Sequence, residues 1–278
     1  MRYIRKVTNI HIWWNISLYM DFIWIQIRAM REYPGAFLLK SFAKLVGVSA
    51  SICTTYLMIY RFGSVLNWST YEVMLLYSMN VVGYALAGFF MFHPFKNLSQ
   101  RILDGTFDEM LTKPLNPFFY LCSRDFSTGY FSNLCAGTAL LATCFIKLNI
   151  EFNPVKLVYL FIVLMGAGMI HSGFFMFINI PSFWIQKVEA ISQLRSTLDS
   201  FIRYPISIYD TWIQVMLTFI FPFAFVNFFP AQYFLGKDDF SIFSPWFTYM
   251  TPGVGLVMVI LGYLFFFLGL RNYKSTGS

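Results

Sequence analysis

Long apolar runs separated by short polar stretches make up most of this chain. Six of these runs hold about 20 apolar residues or more, which is enough for an α-helix to cross a hydrocarbon core of roughly 30 Å. We place the predicted membrane spans at about residues 36–60, 71–93, 127–147, 155–180, 209–229 and 249–270. The pattern therefore predicts an all-α integral membrane protein with six transmembrane helices.

The residues before the first run have a different pattern. Residues 2–33 mix apolar and tryptophan side chains with basic ones such as Arg28, a combination typical of helices that lie at the level of the lipid headgroups. The charges disfavour a spanning helix, and Pro34-Gly35 breaks the pattern. We therefore predict an amphipathic interfacial helix over residues 1–35 and a transmembrane domain over residues 36–278.

Composition and charge placement extend this prediction to topology. Hydrophobic residues make up 58% of the 278 positions and charged residues 12%, whereas soluble domains carry about 25% charged residues. Sixteen of the 20 Lys and Arg residues fall on one side of the predicted spans. The other four are Arg61, Lys147, Lys156 and Lys237. By the positive-inside rule both termini are predicted to be cytoplasmic, and the net charge of +7 reflects topology rather than nucleic-acid binding.

Two of the predicted loops carry patterns of their own. In the cytoplasmic loop of about 181–208, apolar residues recur every three to four positions between charged ones, which predicts an interfacial or solvated helix. The outer loop of about 230–248 is rich in proline and aromatic residues. This composition favours short interfacial or re-entrant pieces that are shielded by protein.

Polar side chains within the predicted spans are few, and the notable ones are Asn80, Asn133, His171 and Asn179. Hydrogen bonds between helices are the ordinary role of such residues. Asn80, His171 and Asn179 are also candidate residues of a substrate pathway, and His171 is the first to test. The near absence of charge from the spans argues against a pump driven by ions or protons.

Glycines recur every seven residues along the predicted sixth span, at Gly255, Gly262 and Gly269. A stripe of small residues lets two helices approach closely. The sequence leaves open whether the partner helix belongs to the same chain or to a second subunit.

The sequence lacks the common motifs of enzymes and metal sites, including GxxxxGK[ST], HExxH and GxSxG. We therefore predict no catalytic residue, metal ligand or cofactor in this chain, so that any uphill transport draws its energy from another chain. A membrane-embedded enzyme would need a polar cluster at a membrane face. His93, Asp104 and Asp108 are the nearest set, and their spacing matches no mechanism. A non-transporting membrane scaffold or immunity-type protein is the other alternative.

The polar loop of residues 94–124 contains the most distinctive stretch. Gly105 permits a sharp backbone break, Asp108 suits the first turn of a short helix, and Pro114 and Pro117 end that helix. The apolar side chains of the helix fall on one side, at Phe107, Met110 and Leu111. Two interpretations fit this pattern: a loop that rests on lipid headgroups, or a docking helix for a soluble partner.

Two stretches of the chain resemble bacterial ABC-2 type transporter permeases. Residues 103–115, LDGTFDEMLTKPL, are similar to the G-x-[LF]-D-x-x-L-x-[KR]-P-L segment of that family. Residues 201–231 look like the block that enters and completes the family's fifth span. The resemblance covers essentially the whole chain, including the six spans and the short N-terminal surface helix.

The resemblance implies an exporter core in the bacterial inner membrane. Two permease subunits, alike or different, form the pathway, and two cytoplasmic ABC ATPase subunits that bind ATP and Mg dock beneath them. The loop between spans two and three then becomes the coupling helix. The side chains implied in coupling are Phe107, Met110 and Leu111 as the face seated in an ATPase groove, Asp108 and Lys113 as rim contacts, and Gly105 and Pro114 as residues that fix the shape. The resemblance leaves the cargo open, because relatives export lipids, peptides, antibiotics and glycan precursors.

Overall fold

A computed structural model of the chain describes residues 12–32, 34–62, 64–65, 67–185, 198, 200–239 and 242–273. These residues are mostly helical. The strands among them are two-residue segments, β1 (Ser64–Val65) and β2 (Trp68–Ser69), which pair antiparallel. The predicted all-α membrane fold is confirmed.

The helices that the structure describes are, in chain order, α1 (Ile12–Glu32), α2 (Pro34–Phe62), α3 (Thr70–Ala87), α4 (His93–Lys96), α5 (Leu98–Leu103), α6 (Thr106–Leu111), α7 (Pro117–Arg124), α8 (Phe131–Lys147), α9 (Pro154–Asn179), α10 (Thr211–Val215), α11 (Phe228–Leu235) and α12 (Thr251–Asn272). Two π-helical segments, Gly88–Phe92 and Met216–Ile220, extend α3 and α10. Short 3-10 turns lie at Thr128–Tyr130, Ile180–Phe183, Ile206–Ile208, Phe223–Phe225 and Pro245–Tyr249.

Local sequence explains where several helices begin. Asn116 and Asn153 precede α7 and α9, and their side-chain oxygens accept backbone N–H groups of the first turn. Each of these helices then starts with a proline, whose missing N–H costs nothing at that position.

Among the described residues, five helical segments are long and apolar enough to cross a membrane: Phe37–Arg61, Thr70–Leu103, Thr128–Lys147, Pro154–Phe183 and Thr251–Asn272. They lie where spans one, two, three, four and six were predicted.

We call the end of the bundle that holds α4–α7 the lower end. The upper end holds β1, β2 and residues 148–153. The predicted interfacial helix corresponds to α1 over residues 12–32, whose position on the membrane surface stays a prediction, and residues 1–11 lie outside the described part.

The structure corrects the predicted fifth span at 209–229, which is not one continuous helix. Residues Thr211–Ile220 and Phe223–Leu235 form a pair bent by 80° at a break. Pro222 lies at this break, where its missing N–H interrupts helical hydrogen bonding. Ser207 Oγ donates a hydrogen bond to Asp239 Oδ2 at 2.8 Å, so the chain enters and leaves this segment at the same place. Residues 211–235 are therefore a re-entrant hairpin.

The structure also corrects the prediction that the whole loop 181–208 lies at one end of the bundle. Trp184 packs at the lower end, stacked on Phe265 near the end of α12. Ile202 lies toward the upper end, where its carbonyl oxygen and that of Leu76 both accept hydrogen bonds from Asn227 Nδ2. Residues 186–197 and 199, which hold most of the predicted loop helix, lie outside the described residues.

The glycine stripe of α12 is used within the chain. A Cβ added at Gly255, Gly262 or Gly269 would lie 2.5, 2.6 or 2.4 Å from atoms of Gly166, Met176 or Phe183. All three contacted residues belong to α9 or to the 3-10 turn that follows it. Close approach of α9 and α12 is thus the reason for the seven-residue glycine repeat.

Candidate functional site

The lower end of the bundle carries the distinctive polar segment. Gly105 separates α5 from α6 and has a φ of 69°, in the left-handed region that glycine adopts without steric cost. α6 then runs over Thr106–Leu111 and ends before Pro114. The break and the short helix predicted from the sequence are both observed.

Two of the apolar side chains of α6 face the chain's own bundle. Phe107 is 0% exposed and Met110 is 2% exposed. The Phe107 ring packs edge-on against Phe183 and Tyr273, with ring centres 5.4 and 5.2 Å apart, and Leu111 packs against the same cluster. The predicted ATPase-groove face is therefore corrected: Phe107 and Met110 are buried because α6 lies across the ends of α9 and α12.

Asp108 also bonds within the chain. Its Oδ1 accepts a hydrogen bond from the Tyr273 hydroxyl at 2.9 Å. Burial of the phenol, followed by this hydrogen bond, raises the pKa of Tyr273 to about 12. Asp108 therefore ties α6 to the end of α12, and its role as a rim contact with an ATPase stays a prediction.

The opposite side of α6 is exposed and polar. We call this surface the docking face, and it consists of Thr106, Glu109, Thr112, Lys113 and Pro114. Of the predicted coupling residues, Lys113 and Pro114 lie here, and Gly105 lies at its edge.

α7 braces the segment from the other side. Phe118 lies edge-on to Tyr263 and Phe266 of α12, with ring centres 5.0 and 5.4 Å apart. An ion pair joins Arg101 of α5 to Asp125, just after α7. The lower end is thus one packed unit in which α5, α6 and α7 are attached to α12.

The candidate pathway residues separate into a pair and an outlier. His171 Nε2 and Asn80 Oδ1 lie 3.0 Å apart within the bundle, and both residues are buried. The Tyr84 ring meets the His171 ring edge-on. Asn179 Nδ2 instead donates to the Phe175 carbonyl of its own helix at 2.8 Å. The structure therefore brings together Asn80 and His171 and leaves Asn179 outside the pair.

A cavity of about 350 Å³ lies beside Asn80, between α2, α3 and α8. Lys44, Tyr77, Tyr84, Asn133 and Arg203 also line it. Sequence reasoning missed both cations, because Lys44 falls within the predicted first span of 36–60 and Arg203 within the predicted cytoplasmic loop of 181–208. The position of Lys44 inside an apolar run was the one indication in the sequence.

The residues of the enzyme alternative each have a different structural neighbour. Asp104 accepts a hydrogen bond from Gln100, Asp108 accepts one from Tyr273, and the His93 ring packs against Tyr130. Within the described residues they form no cluster that could hold a metal ion.

Comparison with known families decides the class of protein. A family model described as ABC-2 family transporter protein matches residues 45–277. The chain belongs to the ABC-2 transporter family. It is a permease subunit of an ABC transporter, a multi-pass membrane component that works with ABC ATPase subunits. The resemblance found in the sequence is thereby confirmed. No curated protein and no solved structure matches the permease.

Proposed function

We propose that this permease is the membrane subunit of an ATP-driven exporter in a bacterial cell membrane. Two permease subunits, identical or different, form the pathway. Two ATPase subunits, which bind the ATP and Mg, contact the lower end. One observation carries the proposal: α6 is fixed to the ends of α9 and α12 by Phe107, while its docking face is exposed and polar.

The orientation follows from charge. The lower-end segment 94–124 carries Lys96, Arg101, Lys113 and Arg124. Basic residues favour the cytoplasmic side of a membrane, so the docking face and both termini are on the side of the ATPase subunits.

The contacts of α6 define a route for mechanical coupling. A displacement of the docking face moves α6, and the buried Phe107 passes it to Phe183 and Tyr273. Phe183 follows α9, which carries His171 about 18 Å farther along the helix axis. Because packed interiors are stiff, the displacement reaches the level of the Asn80–His171 pair with little loss.

Charge reversal on the docking face tests this proposal. Glu109→Arg with Lys113→Glu exchanges two exposed charges four residues apart, and Lys147→Glu with Glu151→Arg is the matched control at the upper end. We expect the lower pair to reduce co-purified ATPase by at least about tenfold, since interfacial charges set partner choice. The control should keep the wild-type amount.

Three outcomes would contradict the proposal. One is a wild-type permease that brings no ATPase from native membranes in mild detergent, even after cross-linking. Another is equal loss of ATPase in the docking-face variant and the control. A bound ATPase whose hydrolysis rate does not depend on the permease would favour the scaffold or immunity-type alternative.

A further inference from the structure

The cavity beside Asn80 has an unusual charge for its surroundings. It lies among helices of a membrane domain, and its lining includes Lys44 and Arg203 but no Asp or Glu among the described residues. Cations in such a position are costly, and in membrane proteins they mark binding sites and pathways.

Aromatic rings hold the two cations at different levels of the cavity. Lys44 Nζ lies 3.8 Å from the centre of the Tyr130 ring, and Tyr130 packs against Tyr84. The Arg203 guanidinium lies 5.8 Å from the centre of the Tyr77 ring. Tyr77 and Tyr84 are two turns apart on α3, about 10 Å along its axis. An anionic group can therefore enter between a lower and an upper cation.

A neutral polar group adds to the site. Asn133 Oδ1 is buried in the cavity wall without a hydrogen-bond partner in the described part of the chain. Buried acceptors without a partner are rare in folded proteins. A hydroxyl or amine on a bound headgroup would supply the missing donor.

An apolar space lies farther along α2 toward the upper end. This second cavity, of about 370 Å³, is lined mainly by apolar side chains that include Ile52, Met74 and Leu140. The outward face of α2 exposes Leu38, Phe42 and Leu57. α2 thus walls both cavities and faces lipid with its other side.

We propose that the cavity lined by Lys44 and Arg203 binds the anionic headgroup of an amphiphile whose hydrocarbon chain lies along α2. The two cations contact anionic oxygens of the headgroup, and Asn133 accepts a hydrogen bond from it. This inference rests on the proposed function, because it assigns the class of cargo: an anionic, lipid-like molecule.

Binding to the permease alone tests the inference without any ATPase. Native mass spectrometry of the detergent-purified chain compares phosphatidylglycerol with phosphatidylcholine of the same acyl chains. We expect phosphatidylglycerol to be retained about tenfold better, because charge-assisted hydrogen bonds are the strong ones. Equal retention of the two lipids would overturn the inference.

Matched variants locate the binding. Arg203→Gln and Lys44→Gln should each abolish the preference for phosphatidylglycerol, and Arg203→Lys should restore much of it. Arg61→Gln and Lys147→Gln, which remove exposed cations elsewhere, should leave it unchanged. If a glutamine variant elutes as aggregate, Asn133→Leu supplies the same comparison. A preference that survives Arg203→Gln or Asn133→Leu in monodisperse protein contradicts the proposed site.

Two further measurements identify the source of the anion. Inorganic phosphate at millimolar concentration should not displace phosphatidylglycerol; full displacement would show a site for free phosphate and overturn the amphiphile. In the complex with ATPase, phosphatidylglycerol should raise ATP hydrolysis several-fold, and Arg203→Gln should remove this rise. Binding without any rise would show a resident lipid and overturn the cargo assignment. If no ATPase is recovered with the permease, the proposed function is refuted, whereas the lipid-binding test on the permease alone is unaffected.

Discussion

The two ends of the permease are fastened by different chemistry. At the lower end, Phe107 and Met110 attach α6 to α9 and α12 mainly through apolar contacts, beside the single hydrogen bond from Tyr273 to Asp108. At the upper end, polar side chains attach the re-entrant hairpin to the start of α3. We call this polar set the upper clamp, and it consists of Trp68, Glu72, Ser207, Lys237 and Asp239.

Asp239 is the centre of the upper clamp. Its Oδ2 accepts hydrogen bonds from Trp68 Nε1 at 2.7 Å and from Ser207 Oγ at 2.8 Å. Lys237 pairs with Glu72 at 2.8 Å and lies 4.5 Å from the Trp68 ring centre. Losing the Asp239 carboxylate leaves the Trp68 and Ser207 donors unpaired, because hydrogen bonds depend on direction and on a specific partner.

The comparison indicates two mechanical roles. Apolar packing has no preferred direction, so the lower end stays in contact while it moves and is suited to transmit force. The upper clamp either holds its hydrogen bonds or loses them, so it is suited to open. We therefore expect the upper clamp to separate more readily than the contacts of the lower end.

Removing the lower contact should have the largest effect. Phe107→Ala deletes a fully buried ring, and we expect a loss of about 3 kcal/mol of stability together with uncoupled ATP hydrolysis. Thermal unfolding in detergent and ATPase activity of the complex measure the two effects. Leu103→Ala, at a residue 40% exposed on the preceding helix, is the control and should change little. Similar unfolding temperatures for the two variants would refute the role of Phe107 as the attachment.

Breaking the upper clamp should have an intermediate effect. Asp239→Ala leaves Trp68 Nε1 and Ser207 Oγ without their acceptor, at a cost of about 1–3 kcal/mol. Hydrogen exchange should rise in residues 211–235 and stay unchanged in α6. Asp238→Ala removes the neighbouring exposed carboxylate and should leave exchange unchanged. Faster exchange in α6 would mean that the two ends are not separate units.

The Tyr273–Asp108 hydrogen bond should have the smallest effect, visible through pH. The pKa of Tyr273 is about 12 in the folded chain, against about 10 for a free tyrosine. A raised pKa means that the folded chain favours the neutral phenol. The stability that the hydrogen bond contributes is therefore complete below about pH 10 and is lost as the pH rises through 12. Tyr273→Phe should remove that pH dependence from hydrogen exchange in α6. The control Tyr60→Phe alters an exposed tyrosine. If its pH profile of hydrogen exchange in α6 matched that of Tyr273→Phe, the assignment of the pH dependence to Tyr273 would be refuted.

Sequence reasoning predicted the features that depend on local chemistry. The lengths of the apolar runs placed five membrane-crossing helices, and the conformational freedom of Gly105 placed the break before α6. The spacing of Phe107 and Met110 placed them correctly on one face. The spacing could not show which surface packs against that face, because the helices of this chain and a groove of another subunit satisfy the same apolar pattern.

The hairpin and the cavity depend on contacts between distant residues. By hydropathy alone, residues 209–229 are indistinguishable from a span, and only Pro222 points to a break. The re-entrant path is fixed by Ser207 and Asp239, which are 32 positions apart. Arg203 lines the cavity for a similar reason, because contacts between distant residues place it among the helices. From the sequence it was assigned to the loop 181–208.

The glycine stripe has a consequence for which helices are able to move. A Cβ at Gly255 would lie 2.5 Å from the Gly166 carbonyl oxygen, so these two backbones touch and leave no clearance for a relative slide. α9 and α12 therefore act as a single lever, whose short arm is α6.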